Sequence, residues 1–168
     1  MIQFIGIGAG KSGSTWLYEN IRAHPEVFKG NPKEIQYFNK HYKKGISWYE
    51  NHFVNSQESI CGEFSVQYLL CENCAERIKK DYPNVKLIAI LRNPVSRMYS
   101  DYQHSIRKAE IKRTTKYSEF IRDENRLKKG VYYNMLKRYY DLFDKKNIKV
   151  LILEDVVGDE SRYIKEVY

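Results

Sequence analysis

The junction near the amino end sets the strongest limit on what this chain can fold into. Residues 3–7 form a short, largely apolar run, and Gly6, Gly8 and Gly10 mark its end. A helical pattern follows within a few residues, with Trp16, Leu17 and Ile21 near helical spacing and His24-Pro25 closing it. A run this apolar reads as a buried strand, and a tight glycine-bearing turn from strand into helix is the start of a βα unit. The pattern recurs downstream. Residues 85–91, VKLIAIL, are almost wholly apolar, bounded by Pro83-Asn84 and Asn93-Pro94. Pro94 suits the first turn of a helix reaching about Arg107. A third apolar run, IKVLIL, covers residues 148–153. Weaker signals predict a short strand over 60–64 and helices over 46–53, 71–82, 117–128, 131–143 and 160–168, with a basic, polar loop over 107–116. Strands alternating with helices in this way predict an α/β fold in which helices flank a central, mainly parallel β-sheet.

The length of 168 residues gives a single domain, and no repeat, low-complexity tract or linker divides it. Lys and Arg outnumber Asp and Glu by 29 to 21, a formal charge of +8. That surplus favours anionic partners such as nucleic acid, anionic lipid, a sulfated glycan or a phosphorylated nucleotide, and does not choose among them. A non-catalytic nucleic-acid or heparin-binding module rests on charge alone; no recognised nucleic-acid motif supports it, so no nucleic-acid partner is expected. Nothing resembles a membrane span or signal peptide, so no integral membrane segment is expected and the default location is cytoplasmic. Cys61, Cys71 and Cys74 are too few and odd in number for a closed disulfide framework. The lone C-x-x-C of Cys71 and Cys74 lacks a second pair or a nearby His, so no metal site is expected.

The first junction carries chemistry as well as shape. In Gly6-Ile7-Gly8-Ala9-Gly10-Lys11-Ser12-Gly13-Ser14-Thr15, small residues let the backbone approach an anion, and the helix start adds partial positive charge. Lys11 contributes a full charge, and Ser12, Ser14 and Thr15 contribute hydroxyls. A phosphate or sulfate fits such a loop. Gly10-Lys11-Ser12 matches the end of a Walker A motif, G-x-x-x-x-G-K-[ST], but the first Gly of that motif falls on Ile5. The loop is one residue short. Because the 148–153 strand leads into Glu154-Asp155, a Walker B candidate, a P-loop kinase or NTPase using ATP–Mg stays open as the alternative.

Read with Lys11 at its front, Lys11-Ser12-Gly13-Ser14-Thr15-Trp16-Leu17 resembles the 5′-phosphosulfate loop of sulfotransferases that use 3′-phosphoadenosine-5′-phosphosulfate (PAPS), a shortened P-loop variant of the form K-[ST]-G-[ST]-[ST]. After the 85–91 strand, Arg92-Asn93-Pro94-Val95-Ser96-Arg97-Met98-Tyr99-Ser100-Asp101-Tyr102 resembles the family's 3′-phosphate motif, R-[DN]-P-x-x-R-x-x-S-x-Y, at every specified position. Each motif follows a strand and opens a helix, which makes the pair far more specific than either alone. The resemblance implies a P-loop-containing nucleotide-binding-like fold and sulfuryl transfer from PAPS to a hydroxyl or amine. It further implies PAPS binding by Lys11, Ser12, Gly13, Ser14, Thr15 and Trp16, with Arg92 and Ser100 on the 3′-phosphate. Arg97 stays open between a bracing role on backbone carbonyls and contact with the nucleotide.

The middle of the chain is similar to one subgroup. Lys33-Glu34-Ile35-Gln36-Tyr37-Phe38, followed by Tyr42-Lys43-Lys44-Gly45-Ile46-Ser47-Trp48-Tyr49, resembles the K-E-x-x-[FY]-F and Y-x-K-G-x-x-W-Y segments of heparan sulfate sulfotransferases, most closely the N-sulfotransferase domains. The resemblance makes Glu34 the catalytic base, Lys11 the group that neutralises the leaving oxygen, and a carbohydrate a candidate acceptor. Gly62-Glu63-Phe64-Ser65 with Tyr68 is similar to G-E-K-[ST]-x-x-Y, but Phe64 stands where the family has an active-site Lys. Gly130-Val131-Tyr132-Tyr133 with Leu136 resembles the family's G-x-Y-x-x-x-L. The likeness runs from about Ile2 to Asp155, and the late K-G-R-x-F or R-K-G segment does not occur before Tyr168. The expected unit is one sulfotransferase domain over residues 1–168, with truncation at its carboxyl end left open. Because sulfuryl transfer needs no divalent bridge, metal-independent activity is expected.

Overall fold

The computed structural model describes residues 2–28, 33–56, 60–165 and 167. Four strands, β1 (Ile2–Gly8), β2 (Cys61–Phe64), β3 (Lys86–Leu91) and β4 (Ile148–Ile152), form one sheet in the order β2-β1-β3-β4. All three pairings are parallel. The α/β class with a parallel central sheet is therefore the observed one. Parallel strands need helical crossovers that cover both faces, which is why β1 and β3 are apolar almost throughout. Only Gln3 of β1 and Lys86 of β3 are exposed.

Side-chain alternation along β1 divides the core in two. Ile5 and Ile7 face one cluster with Leu87, Ala89, Tyr68, Leu69 and the aromatic residues of segment 35–53. That side holds α2 (Ile46–Glu50), α3 (Cys74–Asp81) and α7 (Tyr132–Tyr140). Phe4 faces the other cluster with Leu17, Tyr18 and Ile21 of α1 (Ser14–Ala23). Gly6 opens a space on this side that the Phe64 ring fills; a Cβ at Gly6 would collide with that ring.

The helix α4 (Pro94–Arg107) starts where Pro94 predicts it. Asn93 caps it, its Oδ1 accepting from the amides of Val95 and Ser96 at 3.0 and 3.2 Å. Several expected boundaries shift, among them the end of the 131–143 helix, which is α7 and stops at Tyr140, and the end of the 148–153 strand, which stops at Ile152. The segment expected to be helical from residue 71 becomes helical at Cys74, after a turn. The helix expected over 117–128 is two short ones, α5 (Tyr117–Phe120) and α6 (Glu124–Lys128). The Asp123 carboxylate accepts from the Asn125 amide at 2.9 Å, so a side-chain cap restarts the helix there. The 46–53 helix is α2 followed by a 3₁₀ segment over Asn51–Ser56. Short helices α8 (Leu153–Val156) and α9 (Glu160–Lys165) follow β4, and α9 packs on α1. Among the described residues no helix is long and apolar enough to cross a membrane.

Candidate functional site

Because β1 and β3 are adjacent and parallel, the β1–α1 and β3–α4 junctions lie side by side at the carboxyl edge of the sheet, where open α/β sheets bind ligands. In the first junction, the amide of Ala9 donates to the Ile90 carbonyl at 2.8 Å, tying the loop to β3. Lys11 and Gly13 then adopt left-handed backbone, φ 67° and 87°, which curls the chain into the start of α1. For Gly13 this costs nothing; for Lys11 it is strain of the kind that gathers at working sites. The glycine cannot cap α1 with a side chain, so the first amides of that helix are left for something else.

Two predicted site residues meet here. Lys11 and Glu34 line one cavity of about 290 Å³, together with Gln36, Asp101, His104 and Lys129. Glu34 arrives from outside both junctions. Its amide donates to the Phe64 carbonyl at 2.9 Å, and its Oε1 accepts from the Val66 amide at 3.5 Å, so segment 34–36 runs along the edge of β2. Left-handed φ values of 63° at Glu34 and 54° at Gln36 turn the chain there. Burial pushes the Glu34 carboxyl upward, opposed by the Val66 amide and by Lys33. Burial also lowers the Lys11 ammonium, with Asp101 as the main opposing charge. Each shift disfavours the charged form, which raises the proton affinity of the Glu34 carboxylate and weakens Lys11 as an anion-binding cation.

Arg97 also lines this cavity, whereas Ser12, Gly13, Ser14, Thr15, Trp16, Arg92 and Ser100 are not in its lining. Arg92 directly follows β3, and its Nη1 donates to the Lys11 carbonyl at 3.4 Å, while its own carbonyl accepts from the Tyr132 hydroxyl at 2.9 Å. The two junctions therefore touch. Ser12 is fully buried, and its Oγ has no hydrogen-bond partner among the described residues. Ser14 is buried; Thr15 is exposed, and its Oγ1 accepts from Lys33 Nζ at 2.6 Å. Trp16 is half-buried against the cluster beneath α1. Ser100 is half-buried on α4.

Arg97 is buried and donates from Nη2 to the Arg126 carbonyl at 3.1 Å, a bracing contact, one of the two roles left open for it. The Walker B candidate is put to structural use, since Glu154 Oε1 accepts from the Asn93 amide at 2.9 Å. Asp101, His104, Gln36 and Lys129 escaped the sequence reading. The readable signal was spacing: 97, 101 and 104 share one stripe of α4, and that stripe faces the cavity.

β2 is organised differently from what the resemblance implies. Phe64 is fully buried beneath α1, its ring 6.3 Å from that of Phe4 and 5.9 Å from that of Tyr18. It brings no charge to the cavity. Glu63, also fully buried, points to the opposite face, where its carboxylate accepts from Tyr68 at 2.6 Å, Ser65 at 2.7 Å and Tyr49 at 3.0 Å. Burial pushes its carboxyl up to about 7 against the pull of those three hydroxyls. Ser65 and Tyr68 in turn accept from the amides of Gln36 and Phe38, at 3.0 and 3.4 Å. The buried acid thus anchors the segment that carries Glu34. Cys71 and Cys74 are free thiols, and burial and Cys71 push the Cys74 thiol up.

A family model described as "Sulfotransferase domain" matches residues 2–168. The chain is 25% identical to a crystallised sulfotransferase from Alicyclobacillus acidocaldarius, with a TM-score of 0.88 over 99% of this chain and 79% of that one. It is 40% identical over 107 residues to the membrane-associated sulfotransferase kil1 of Dictyostelium discoideum, covering 61% of this chain and 23% of the relative. It is 35% identical over 111 residues to the human bifunctional heparan sulfate N-deacetylase/N-sulfotransferase 3, covering 61% of this chain and 13% of the relative. The chain thus spans less than a quarter of the length of these two curated relatives. The likeness supports the P-loop-type fold and does not favour the kinase or NTPase alternative.

Proposed function

Since this chain belongs to the sulfotransferase family, we propose that it transfers a sulfuryl group from PAPS to a hydroxyl or amine of an acceptor. The observation that carries this reading is the meeting of Lys11 and Glu34 in one cavity, at the point where the guanidinium of Arg92 reaches the same loop. A bisphosphorylated nucleotide needs two anion sites a short span apart. The residues fit it: uncapped amides and Lys11 at one junction, a guanidinium at the next. Bound PAPS would supply an activated sulfur with a phosphate as leaving group.

The chain's own groups divide the work. The first amides of α1, with Ser14 and Thr15, receive the 5′ end, where helix polarity favours negative charge. Lys11 neutralises the charge that builds on the departing oxygen, and Arg92 with Ser100 holds the 3′-phosphate through charge-assisted bonds. Glu34 takes the proton from the acceptor; its raised affinity for that proton, a consequence of burial, improves it as a base. A carbohydrate acceptor is consistent with the basic character of the chain and with the printed name of the human relative.

Thermal shift with 3′-phosphoadenosine-5′-phosphate (PAP), AMP and ATP–Mg tests the reading. PAP should stabilise the chain most, without metal and with EDTA present. Stabilisation by ATP–Mg alone would return the site to the kinase class.

A further inference from the structure

We propose that Lys33 is a catalytic cation for the transferring sulfuryl group, an assignment that rests on the sulfuryl-transfer reading of this site. Its Nζ donates to Thr15 Oγ1 at 2.6 Å, although the two residues are 18 positions apart. Thr15 is the second residue of α1, at the helix end whose amides lack a side-chain cap. The ammonium therefore sits where an anion on those amides would arrive. Its chain neighbour Glu34 is fastened to the β2 edge through the Phe64 carbonyl and faces the cavity. One short segment thus delivers a cation to the helix start and a carboxylate to the cavity beside it.

β2 brings no cation to this point. Phe64 packs its ring on Tyr18, one turn along α1 from Thr15, and Glu63 faces away. Among the described residues Lys33 forms no ion pair; a neutral hydroxyl is its recorded partner. Burial lowers its pKa, with Glu34 the largest opposing influence. A half-buried ammonium held by a hydroxyl gains most when an anion joins it.

In the transfer step the acceptor lone pair attacks sulfur, and the bond from sulfur to the bridging phosphate oxygen breaks. The electron pair stays on that oxygen, and the acceptor proton passes to Glu34. Lys33 remains protonated throughout and donates to the non-bridging sulfuryl oxygens, whereas Lys11 serves the bridging one.

PAP lacks the sulfuryl group, so calorimetric titration with PAPS and PAP isolates the contact. Lys33→Met should weaken PAPS binding by about tenfold and PAP binding by less, since PAP keeps the 5′-phosphate and lacks only the sulfuryl group. Lys33→Arg, which keeps the charge, should retain most of the PAPS affinity, and melting curves establish that both variants fold. Unchanged PAPS affinity in Lys33→Met, or equal losses for both ligands, would overturn the assignment while leaving the enzyme reading standing. If the unaltered chain binds neither nucleotide, the sulfuryl-transfer reading falls and Lys33 falls with it.

Discussion

The two strand-to-helix junctions at the carboxyl edge of the sheet solve the same problem in opposite ways. At β3–α4 the helix amides are already satisfied, because Asn93 accepts from Val95 and Ser96. At β1–α1 the corresponding position is Gly13, which has no side chain to offer. An amide already bonded to its own cap has little to give a ligand, whereas uncapped amides gain from one. On the proposed function the difference divides the work: backbone binding falls to the first junction, and side-chain binding, through Arg92, to the second. Glu34 belongs to neither and comes from the chain beside β2.

Each part of that division can be broken separately. The largest effect is expected from Glu34→Gln, which leaves both junctions intact: turnover should fall by about a hundredfold to ten-thousandfold, with PAP affinity unchanged by calorimetry. Unchanged turnover would remove Glu34 from the base role. Next comes Lys11→Ala in the first junction, expected to cost on the order of 3 kcal/mol in transition-state stabilisation, or about a hundredfold in kcat/KM. Arg92→Ala tests the second junction. PAP binding should weaken by about tenfold to a hundredfold while AMP binding changes little, and parallel losses for the two would contradict its placement on the 3′-phosphate. The smallest effect belongs to Asn93→Ala, which should cost about 1 kcal/mol of folding stability in denaturant melts. If the junctions divide as described, PAP affinity in that variant holds.

Much of this frame was readable in the chain. The apolar runs that became β1, β3 and β4 read as strands, buried almost throughout in β1 and β3 and only half-buried in β4, and Pro94 marks a helix start by local conformation alone. Local signals also located Lys11 and Arg92 at the ends of strands. What local signals cannot carry is which strands become neighbours. Glu34 and Lys11 meet because β2 pairs with β1, a long-range choice that brings the 33–36 segment alongside. The contact between Lys33 and Thr15 has the same origin. His104 and Asp101 were hidden for another reason: periodicity shows that a helix has faces, but the packing of α4 decides which face lines the cavity. The break at Asp123 was hidden because an aspartate suits both a solvated helix surface and a cap.

The acid enclosed by Tyr49, Ser65 and Tyr68 couples this fold to proton concentration. Glu63 binds its proton more tightly in the folded chain, up to about 7, than in the unfolded one, at 4.5. Between those values the folded state holds the extra proton, so stability declines as pH rises through the window and levels off above it. Glu34, shifted the same way, adds to the slope. Denaturant midpoints should therefore drop from pH 5 to pH 7, and Glu63→Gln should flatten that drop. Acid tightens the scaffold under the cavity and also favours the protonated carboxyl of Glu34, so on the proposed function the conditions that best preserve the fold are not those that best serve transfer.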